Sequence, residues 1–300
     1  LNVPFLLARN VVGPLVLFGL ALYFVYTALR PDMGRLADDQ LDAGQRGWRS
    51  RLMAGWRGQQ AEEERSNRLL GKLGPALALT YATVLSFVVY DFAMSLDPHW
   101  FSTLFGGWFF MAGFWGGIAV TAFTAMAVRK GDTELACHIG IQQRHDIGKL
   151  AFAFTVFWTY LFFSQYIVIW YGKLPWEQTW MVARSGDGWG RYSLAVVLLC
   201  FVVPFASLIG RKAKLNPTWL QTVTAVILFG LWNERYFLVA PSLFGAYDSG
   251  LMLYHLLTGI GFLGLFAFSV RWFLSTFPVI QLWQPIPQDE VSEAEVPAAA

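Results

Sequence analysis

Long apolar runs recur along the chain and are separated by polar connections. A run of about 20 mostly apolar residues crosses roughly 30 Å of hydrocarbon as a helix. The pattern predicts seven such spans, at residues 10–29, 75–96, 104–128, 150–171, 192–210, 219–240 and 251–277. We therefore predict an all-α polytopic membrane protein whose transmembrane helical domain covers residues 1–283.

The amino-acid composition favours lipid as the solvent. Charged residues make up 14% of the chain, against roughly 25% in ordinary soluble domains. Hydrophobic residues make up 56%, which is more apolar surface than a soluble core of this length can hide. The formal net charge is only +2 and the cations form no continuous basic stripe, so a nucleic-acid partner is not expected.

Cysteine usage argues against redox centres held by this chain. The two cysteines are Cys137 and Cys200, and neither belongs to a C-x-x-C or C-x-x-C-H motif. Covalent c-type haem and protein-ligated iron–sulfur clusters require such motifs or a set of four cysteines. We therefore expect no intrinsic redox cofactor and no metal site, so that any electrons must be carried by another chain.

The distribution of Lys and Arg predicts the orientation in the membrane. The connections at 30–74, 129–149 and 210–218 hold sixteen of these cations, whereas four lie on the opposite side. Because positive residues accumulate on the cytoplasmic side, these connections and the C-terminus are predicted to be cytoplasmic. The connections at 97–103, 172–191 and 241–250, and the N-terminus of this chain, are predicted to face outward.

Two polar segments flank the predicted spans. The 30–74 connection mixes cations and carboxylates, so we expect a solvated docking surface in which residues 62–70 can form a short surface helix. The tail at 284–300 is rich in Pro, Ala, Asp and Glu and has no aromatic residue beyond Trp283. Such a composition predicts disorder, or a segment draped on a partner. The chain opens on an apolar stretch without Met, which suggests that further helices precede it.

Ionisable residues inside the predicted spans are the main candidates for chemistry. A charged side chain at membrane depth costs roughly 2.5 to 3.5 kcal/mol on insertion scales, so each one indicates a function or a pairing. Four such residues lie toward the outward ends of their spans, namely Asp91, Glu234, Arg235 and His255. They could form a proton relay, or ion pairs that hold the helices in register, and both interpretations remain open.

The adjacency of Glu234 and Arg235 limits how they can pair. Successive side chains point about 100° apart on a helix, so each is not expected to be the other's sole partner. We therefore expect a neighbouring helix to supply a counter-charge.

A second set of residues could contact a quinol. Gln165 and Tyr166 reach a similar depth in the fourth predicted span, and His99 lies just outside the membrane. Quinol oxidation releases two protons, which a carboxylate or imidazole can accept. In an alternative interpretation, His99 and His255 clamp a b-type haem between two helices.

Several short segments carry a family resemblance. They are residues 97–108 (DPHWFSTLFGGW), 145–150 (HDIGKL), 163–171 (FSQYIVIWY), 174–177 (LPWE) and 232–236 (WNERY). Together they resemble the second polysulfide-reductase-like membrane subunit of bacterial alternative complex III. The resemblance covers most of the chain from residue 1 to about residue 283.

The resemblance implies a particular assembly. Proteins of that family are ten-helix subunits of a quinol:electron-acceptor oxidoreductase. They lie beside a similar sister subunit, an iron–sulfur subunit and c-type haem subunits. By resemblance, this chain has no redox centre, the sister subunit is the better candidate for the quinol pocket, and Asp91, Glu234 and Arg235 are candidate relay positions. The chain shows seven predicted spans instead of ten, and the missing ones would be N-terminal.

The functional expectation combines the polar residues with the resemblance. We expect an integral subunit of a respiratory quinol:cytochrome c oxidoreductase, or one with another periplasmic acceptor, in the bacterial inner membrane. Its substrate would be menaquinol or ubiquinol. The alternative is a purely structural anchor that assembles the partner subunits. A transporter is a third class, but the sequence shows no inverted repeat that would favour it.

Overall fold

The computed structural model describes residues 2–37, 41–131, 139–186, 188–245 and 247–284. Every regular element within these ranges is helical, and none of them is a strand. Seven helices are long and apolar enough to cross a membrane. The predicted all-α polytopic fold is therefore confirmed, and the chain is a multi-pass membrane protein.

The helices follow one another with short connections. In chain order they are α1 (Val3–Arg35), α2 (Ala43–Leu52), α3 (Gln59–Phe92), α4 (Thr103–Gly131), α5 (Ile141–Gly172), α6 (Pro175–Ser185), α7 (Trp189–Leu208), α8 (Arg211–Leu215), α9 (Pro217–Phe244) and α10 (Ser249–Thr276). A short 3₁₀ turn, Met94–Leu96, follows α3. Each predicted span coincides with one long helix, and most of these helices extend beyond the apolar run that predicted them.

The predicted 30–74 connection is shorter in the structure than expected. Helix α1 continues to Arg35, and α3 already begins at Gln59. The expected separate surface helix at 62–70 is wrong, because this segment is the first part of α3. Strong helix formers such as Gln, Ala, Glu, Arg and Leu dominate this stretch and let the helix run continuously into the span.

Helix α2 has a clear start signal in the sequence. The Asp42 side chain accepts a hydrogen bond from the Gln45 backbone N–H (2.7 Å), and the Gln45 side chain accepts one from the Asp42 N–H (3.1 Å). This reciprocal capping box satisfies two backbone donors that a helix N-terminus otherwise leaves unpaired. The polar connection therefore contains ordered structure.

The first of two compact units combines residues 1–84 with residues 256–286. Its small core joins Met33, Leu52 and Phe277. The Trp48 ring packs edge-on against Trp272 (5.9 Å between centroids) and Phe277 (5.8 Å). Aromatic pairs in this geometry add to the stabilisation that burial alone provides. These contacts bind α2 to the end of α10.

The second unit, residues 85–255, has its core around α9. Helix α9 packs most extensively against α4 and also contacts α7 and α5. More than half of its most apolar stretch is buried (56%), compared with none of the corresponding stretch in α10. A helix enclosed on several sides can hold polar side chains away from lipid.

Helix α7 is interrupted by a turn of π-helix at Leu198–Val202. Pro204 follows this turn, and a proline disturbs the helix because it lacks an N–H and its ring clashes with the carbonyl four residues earlier. Gly230 of α9 faces the same turn, and a Cβ atom there would lie 2.9 Å from Cys200 Sγ. The backbones of α7 and α9 therefore approach closely at this level.

The C-terminal tail was expected to be disordered or draped on a partner. Apart from Gln284, residues 284–300 lie outside the described residues. That expectation stays a prediction.

Candidate functional site

Among the described residues of the second unit, the most deeply buried carboxylate is Glu234, in the middle part of α9. The Glu234 residue is fully buried, with 0% of its surface exposed. Neither carboxylate oxygen accepts a hydrogen bond from any part of the chain that the structure describes. A carboxylate in such a place is costly unless it is paired, neutralised or hydrated. Glu234 therefore defines the candidate site.

The charge nearest to this carboxylate comes from the next residue. The Arg235 Nε atom lies 3.4 Å from Glu234 Oε2. The same guanidinium donates through Nη2 to the Phe109 carbonyl oxygen (2.9 Å) and lies over the Phe109 ring, with Cζ 3.9 Å from its centroid. Its third nitrogen, Nη1, is buried and donates to no described residue.

For Glu234, the charge that the structure places nearby does not come from a neighbouring helix. The ion pair of Glu234 is made with Arg235 on the same helix. The long, flexible arginine side chain spans the angular separation that a shorter side chain could not. Helix α4 contributes a carbonyl oxygen and an aromatic face to the guanidinium in place of a charge.

Two side chains from other helices complete the surroundings of Glu234. The Trp158 indole on α5 is buried and interacts with the Glu234 carboxylate, although its N–H does not meet hydrogen-bond geometry with any described group. The Cys200 side chain, in the π-turn of α7, lies near both Glu234 and Arg235. Helices α5, α7 and α9 thus meet at the carboxylate.

An aromatic cluster seals one side of this site. The Trp158 ring lies 6.2 Å from the rings of both Trp108 and Trp115, and it stacks on Phe162 at 5.5 Å. The Trp115 indole N–H donates to the Ala151 carbonyl oxygen (3.1 Å), so its hydrogen-bonding capacity is satisfied. The surroundings exclude bulk water and strengthen any electrostatic interaction inside.

The neighbouring residue Asn233 fixes the rotation of α9. The Tyr192 hydroxyl of α7 donates to Asn233 Oδ1 (2.7 Å), and Asn233 Nδ2 donates to the Phe229 carbonyl oxygen (2.7 Å). Side-chain hydrogen bonds between buried partners hold two helices in one register. Glu234 is therefore presented to its neighbours from a fixed position.

His255, at the start of α10, lies between two aromatic rings of α9. Its imidazole stacks on Trp232 (4.2 Å between centroids) and on Tyr236 (4.1 Å). Glu234 points about 200° away from both of these positions on a helix. The imidazole and the carboxylate consequently lie on different sides of α9.

Asp91 lies near the end of α3 and is partly buried. Its backbone carbonyl oxygen accepts a hydrogen bond from the Ser95 hydroxyl. The Glu234 oxygens, Arg235 Nη1 and His255 Nε2 have no hydrogen-bond partner among the described residues, so none of these atoms bonds to Asp91. Of the four residues considered for a relay, the structure joins Glu234 and Arg235 in an ion pair.

The three residues considered as quinol contacts lie in different surroundings. Gln165 is buried and accepts a hydrogen bond from the Ser102 hydroxyl (2.8 Å). Tyr166, the next residue of α5, is 41% exposed on another face. His99 is exposed in the connection before α4. The structure does not gather these residues into one pocket.

Arg184 is buried, although the sequence predicted only that it is a cation on the outward side of the membrane. It donates to the carbonyl oxygens of Trp180 (3.0 Å) and Leu238 (2.6 Å) and to the Ser242 hydroxyl (3.0 Å), and it lies over the Trp180 ring. Burial lowers the pKa of the Arg184 guanidinium to about 9, and the Asp97 carboxylate opposes this effect. The side chain therefore remains cationic at neutral pH. The spacing of Trp180 and Arg184, one helical turn apart, is the sequence feature that could have indicated this contact.

The first unit contains a separate buried ion pair. Arg30 donates through Nε and Nη2 to the two carboxylate oxygens of Glu62, at 2.9 and 3.0 Å. Its Nη1 donates to the Tyr26 hydroxyl (2.7 Å) and the Ala54 carbonyl oxygen (3.1 Å). A shallow cleft over this pair is lined by Tyr23, Tyr26, Thr27, Arg30, Glu62, Arg65, Ser66 and Leu69.

These observations define a multi-pass α-helical membrane protein with a buried, incompletely hydrogen-bonded carboxylate in its second unit. Within the described residues, no group of three or more His, Cys, Asp and Glu side chains could hold a metal ion. No protein-family model matches the sequence, and no curated protein is significantly similar to it.

Proposed function

We propose that this chain is an integral subunit of a quinol-oxidising respiratory complex in the bacterial inner membrane. In this proposal Glu234 accepts or passes on protons released from the quinol. The observation that carries the proposal is the complete burial of the Glu234 carboxylate without a hydrogen-bond donor from the described chain. The resemblance to the second polysulfide-reductase-like subunit of alternative complex III supports the choice of quinol chemistry.

The proposed reaction divides electrons and protons between subunits. A quinol loses two electrons and two protons and becomes a quinone. The electrons pass to the iron–sulfur and c-type haem centres of the partner subunits and then to a periplasmic acceptor. The protons require a base with access to the site, and a carboxylate in an apolar environment suits this role near neutral pH. The quinol pocket is proposed to belong mainly to the sister polysulfide-reductase-like subunit.

The proposed orientation follows from the positive-inside rule. The cation-rich connections and the C-terminus face the cytoplasm, and α6 faces the periplasm. Glu234 then lies in the outward half of α9, which is the side on which the protons would leave.

The first experiment replaces Glu234 by Gln in the native complex. Glu234→Gln preserves the shape of the side chain but cannot ionise, so quinol:acceptor turnover should fall at least about tenfold in a complex that still assembles. Glu177→Gln, in the outward helix α6, is the control and should retain turnover. Assembly is checked by size-exclusion chromatography with all partner subunits present. Wild-type turnover in assembled Glu234→Gln complex would eliminate the proton-transfer role.

A second candidate function is a structural anchor for the partner subunits. The contacts of Arg235 with Phe109 favour it, because they join α9 to α4 without any need for chemistry. Full turnover in a complex with neutral replacements at Asp91, Glu234, Arg235 and His255 would support this alternative. A specific loss on neutralising Glu234 alone would exclude it.

A further inference from the structure

We infer that a bound water molecule bridges the Glu234 carboxylate, the Trp158 indole N–H and the Arg235 Nη1 group. The presence of this water does not depend on the proposed function. Only its role at the site rests on that function. Its presence follows from the hydrogen-bonding capacity of buried polar atoms on three side chains.

The three side chains have complementary hydrogen-bonding groups without partners. Both oxygens of Glu234, Nε1 of Trp158 and Nη1 of Arg235 are buried, and the described chain provides none of them with a hydrogen-bond partner. Leaving a buried polar group unpaired costs about 1 to 3 kcal/mol, and more for a charged one. Buried waters typically make about three hydrogen bonds to such groups.

The remaining nitrogens of Arg235 are already engaged. Its Nε lies 3.4 Å from Glu234 Oε2, and its Nη2 donates to the Phe109 carbonyl oxygen. Nη1 is the buried guanidinium nitrogen that has no acceptor among the described residues. A water molecule can accept hydrogen bonds from Nη1 and from the Trp158 N–H. It can also donate a hydrogen bond to a Glu234 oxygen, which makes three hydrogen bonds in total.

A direct bond from Trp158 to Glu234 is the competing arrangement. The indole and the carboxylate interact, yet the N–H does not meet hydrogen-bond geometry with either oxygen. Polar groups that lie close together without a well-formed direct hydrogen bond are commonly joined by water. The adjacent π-turn in α7 strengthens the case, because π-turns are frequent at functional sites.

The water gives the carboxylate a hydrogen-bonded neighbour in an otherwise apolar surrounding. Trp158 and Arg235 can only donate to it, so its own protons are directed toward the carboxylate. In the proposed function, this water stabilises the ionised Glu234 carboxylate by donating a hydrogen bond to it.

Trp158 and Trp115 form a matched pair for testing the inference. Trp158→Phe keeps an aromatic ring and removes the N–H that we assign to the water. Trp115→Phe makes the same chemical change at an equally buried position, where the N–H donates to the Ala151 carbonyl oxygen. Any general effect of losing a buried indole should therefore appear in both variants.

The test is high-resolution cryo-electron microscopy of the native complex and of both variants. We expect density for a water about 3 Å from Glu234, Trp158 Nε1 and Arg235 Nη1 in the wild type. The density should be lost in Trp158→Phe and retained in Trp115→Phe. Absence of the density in the wild type would overturn the inference.

Infrared difference spectroscopy provides a second readout that does not depend on turnover. Exchange into H₂¹⁸O should shift a water O–H stretching band that is present in the wild type and in Trp115→Phe but missing in Trp158→Phe. If all three proteins show the same bands, the assignment fails. A bound water together with normal turnover of Glu234→Gln would leave this inference intact and disprove the proposed proton transfer.

Discussion

At the scale of single residues, Arg30 and Glu62 belong, with Asp32, to the buried charged residues of the described first unit. Their side chains are 6% and 1% exposed, and they form a bidentate pair. Both residues fall in the segment predicted to be a solvated connection, because charge counts show where cations accumulate but do not show which helices meet. The depth of this pair depends on the register of α1 against α3, which periodicity alone does not specify.

Replacing Glu62 by Gln should destabilise the first unit. The guanidinium of Arg30 would lose its bidentate counter-charge while remaining buried, at a cost of about 3 to 5 kcal/mol. We expect a clear drop in the midpoint of thermal unfolding, measured by fluorescence-detected size-exclusion chromatography. Glu64→Gln is the control on the same helix, because the Glu64 side chain is exposed and lies 3.5 Å from the Gln60 amide. Equal midpoints in the two variants would contradict the stabilising role of the pair.

The candidate site was only partly predictable at this scale. Glu234 and Arg235 stand out in a sequence because charge is rare inside an apolar run. Trp158 does not, because a tryptophan beside a carboxylate and a tryptophan in ordinary packing look alike in sequence. Trp115 illustrates this, since its ring packs on Trp158 but its indole N–H donates to a backbone carbonyl and not toward the carboxylate.

At the scale of helices, the apolar runs predicted every span because hydrocarbon thickness fixes the length of a crossing. The π-turn of α7 was not predicted, although Pro204 shows that the helix is disturbed nearby. The helix at 62–70 was predicted, but its continuity with α3 was missed, since a polar helical extension has no apolar run to reveal it. Packing between helices, such as the approach of α7 to Gly230, depends on side chains far apart in sequence.

A methyl group at Gly230 should disturb the contact between α7 and α9. A Cβ atom there would lie 2.9 Å from Cys200 Sγ and 2.9 Å from Leu199 Cβ. Overpacking of this kind costs about 1 to 3 kcal/mol, so Gly230→Ala should lower the unfolding midpoint. Gly261→Ala in α10 is the control, because a Cβ atom at Gly261 meets nothing within 4 Å and alanine favours a helix by about 1 kcal/mol. A midpoint for Gly230→Ala at or above that of Gly261→Ala would contradict the close approach.

At the scale of the whole molecule, orientation is the property that the charge pattern predicts and the fold leaves open. The predicted cytoplasmic connections carry sixteen Lys and Arg residues and the opposite side carries four. The proposed route of protons toward the periplasm depends on this orientation. It also decides which of the polar connections can meet cytoplasmic partners.

Two isosteric substitutions test the orientation. In a Cys137→Ser background, Ser50→Cys in α2 and Ser185→Cys in α6 place thiols at exposed positions, while the buried Cys200 is shielded. A membrane-impermeant maleimide should label Ser185→Cys in intact spheroplasts and Ser50→Cys only in inverted vesicles. The reverse pattern would show that the chain is inserted the other way.

Helices α1 and α3 meet at two widely separated points of the first unit. The Ser66 hydroxyl donates to the Thr27 carbonyl oxygen at 3.0 Å, and a Cβ atom at Gly13 would lie 3.4 Å from Val84 Cγ1. Ser66 and Val84 are about five helical turns apart, so they lie on one face of α3. One inserted residue between them would rotate that face by about 100° and advance it by about 1.5 Å. We therefore expect a single-residue insertion or deletion in this stretch of α3 to break one of the two contacts.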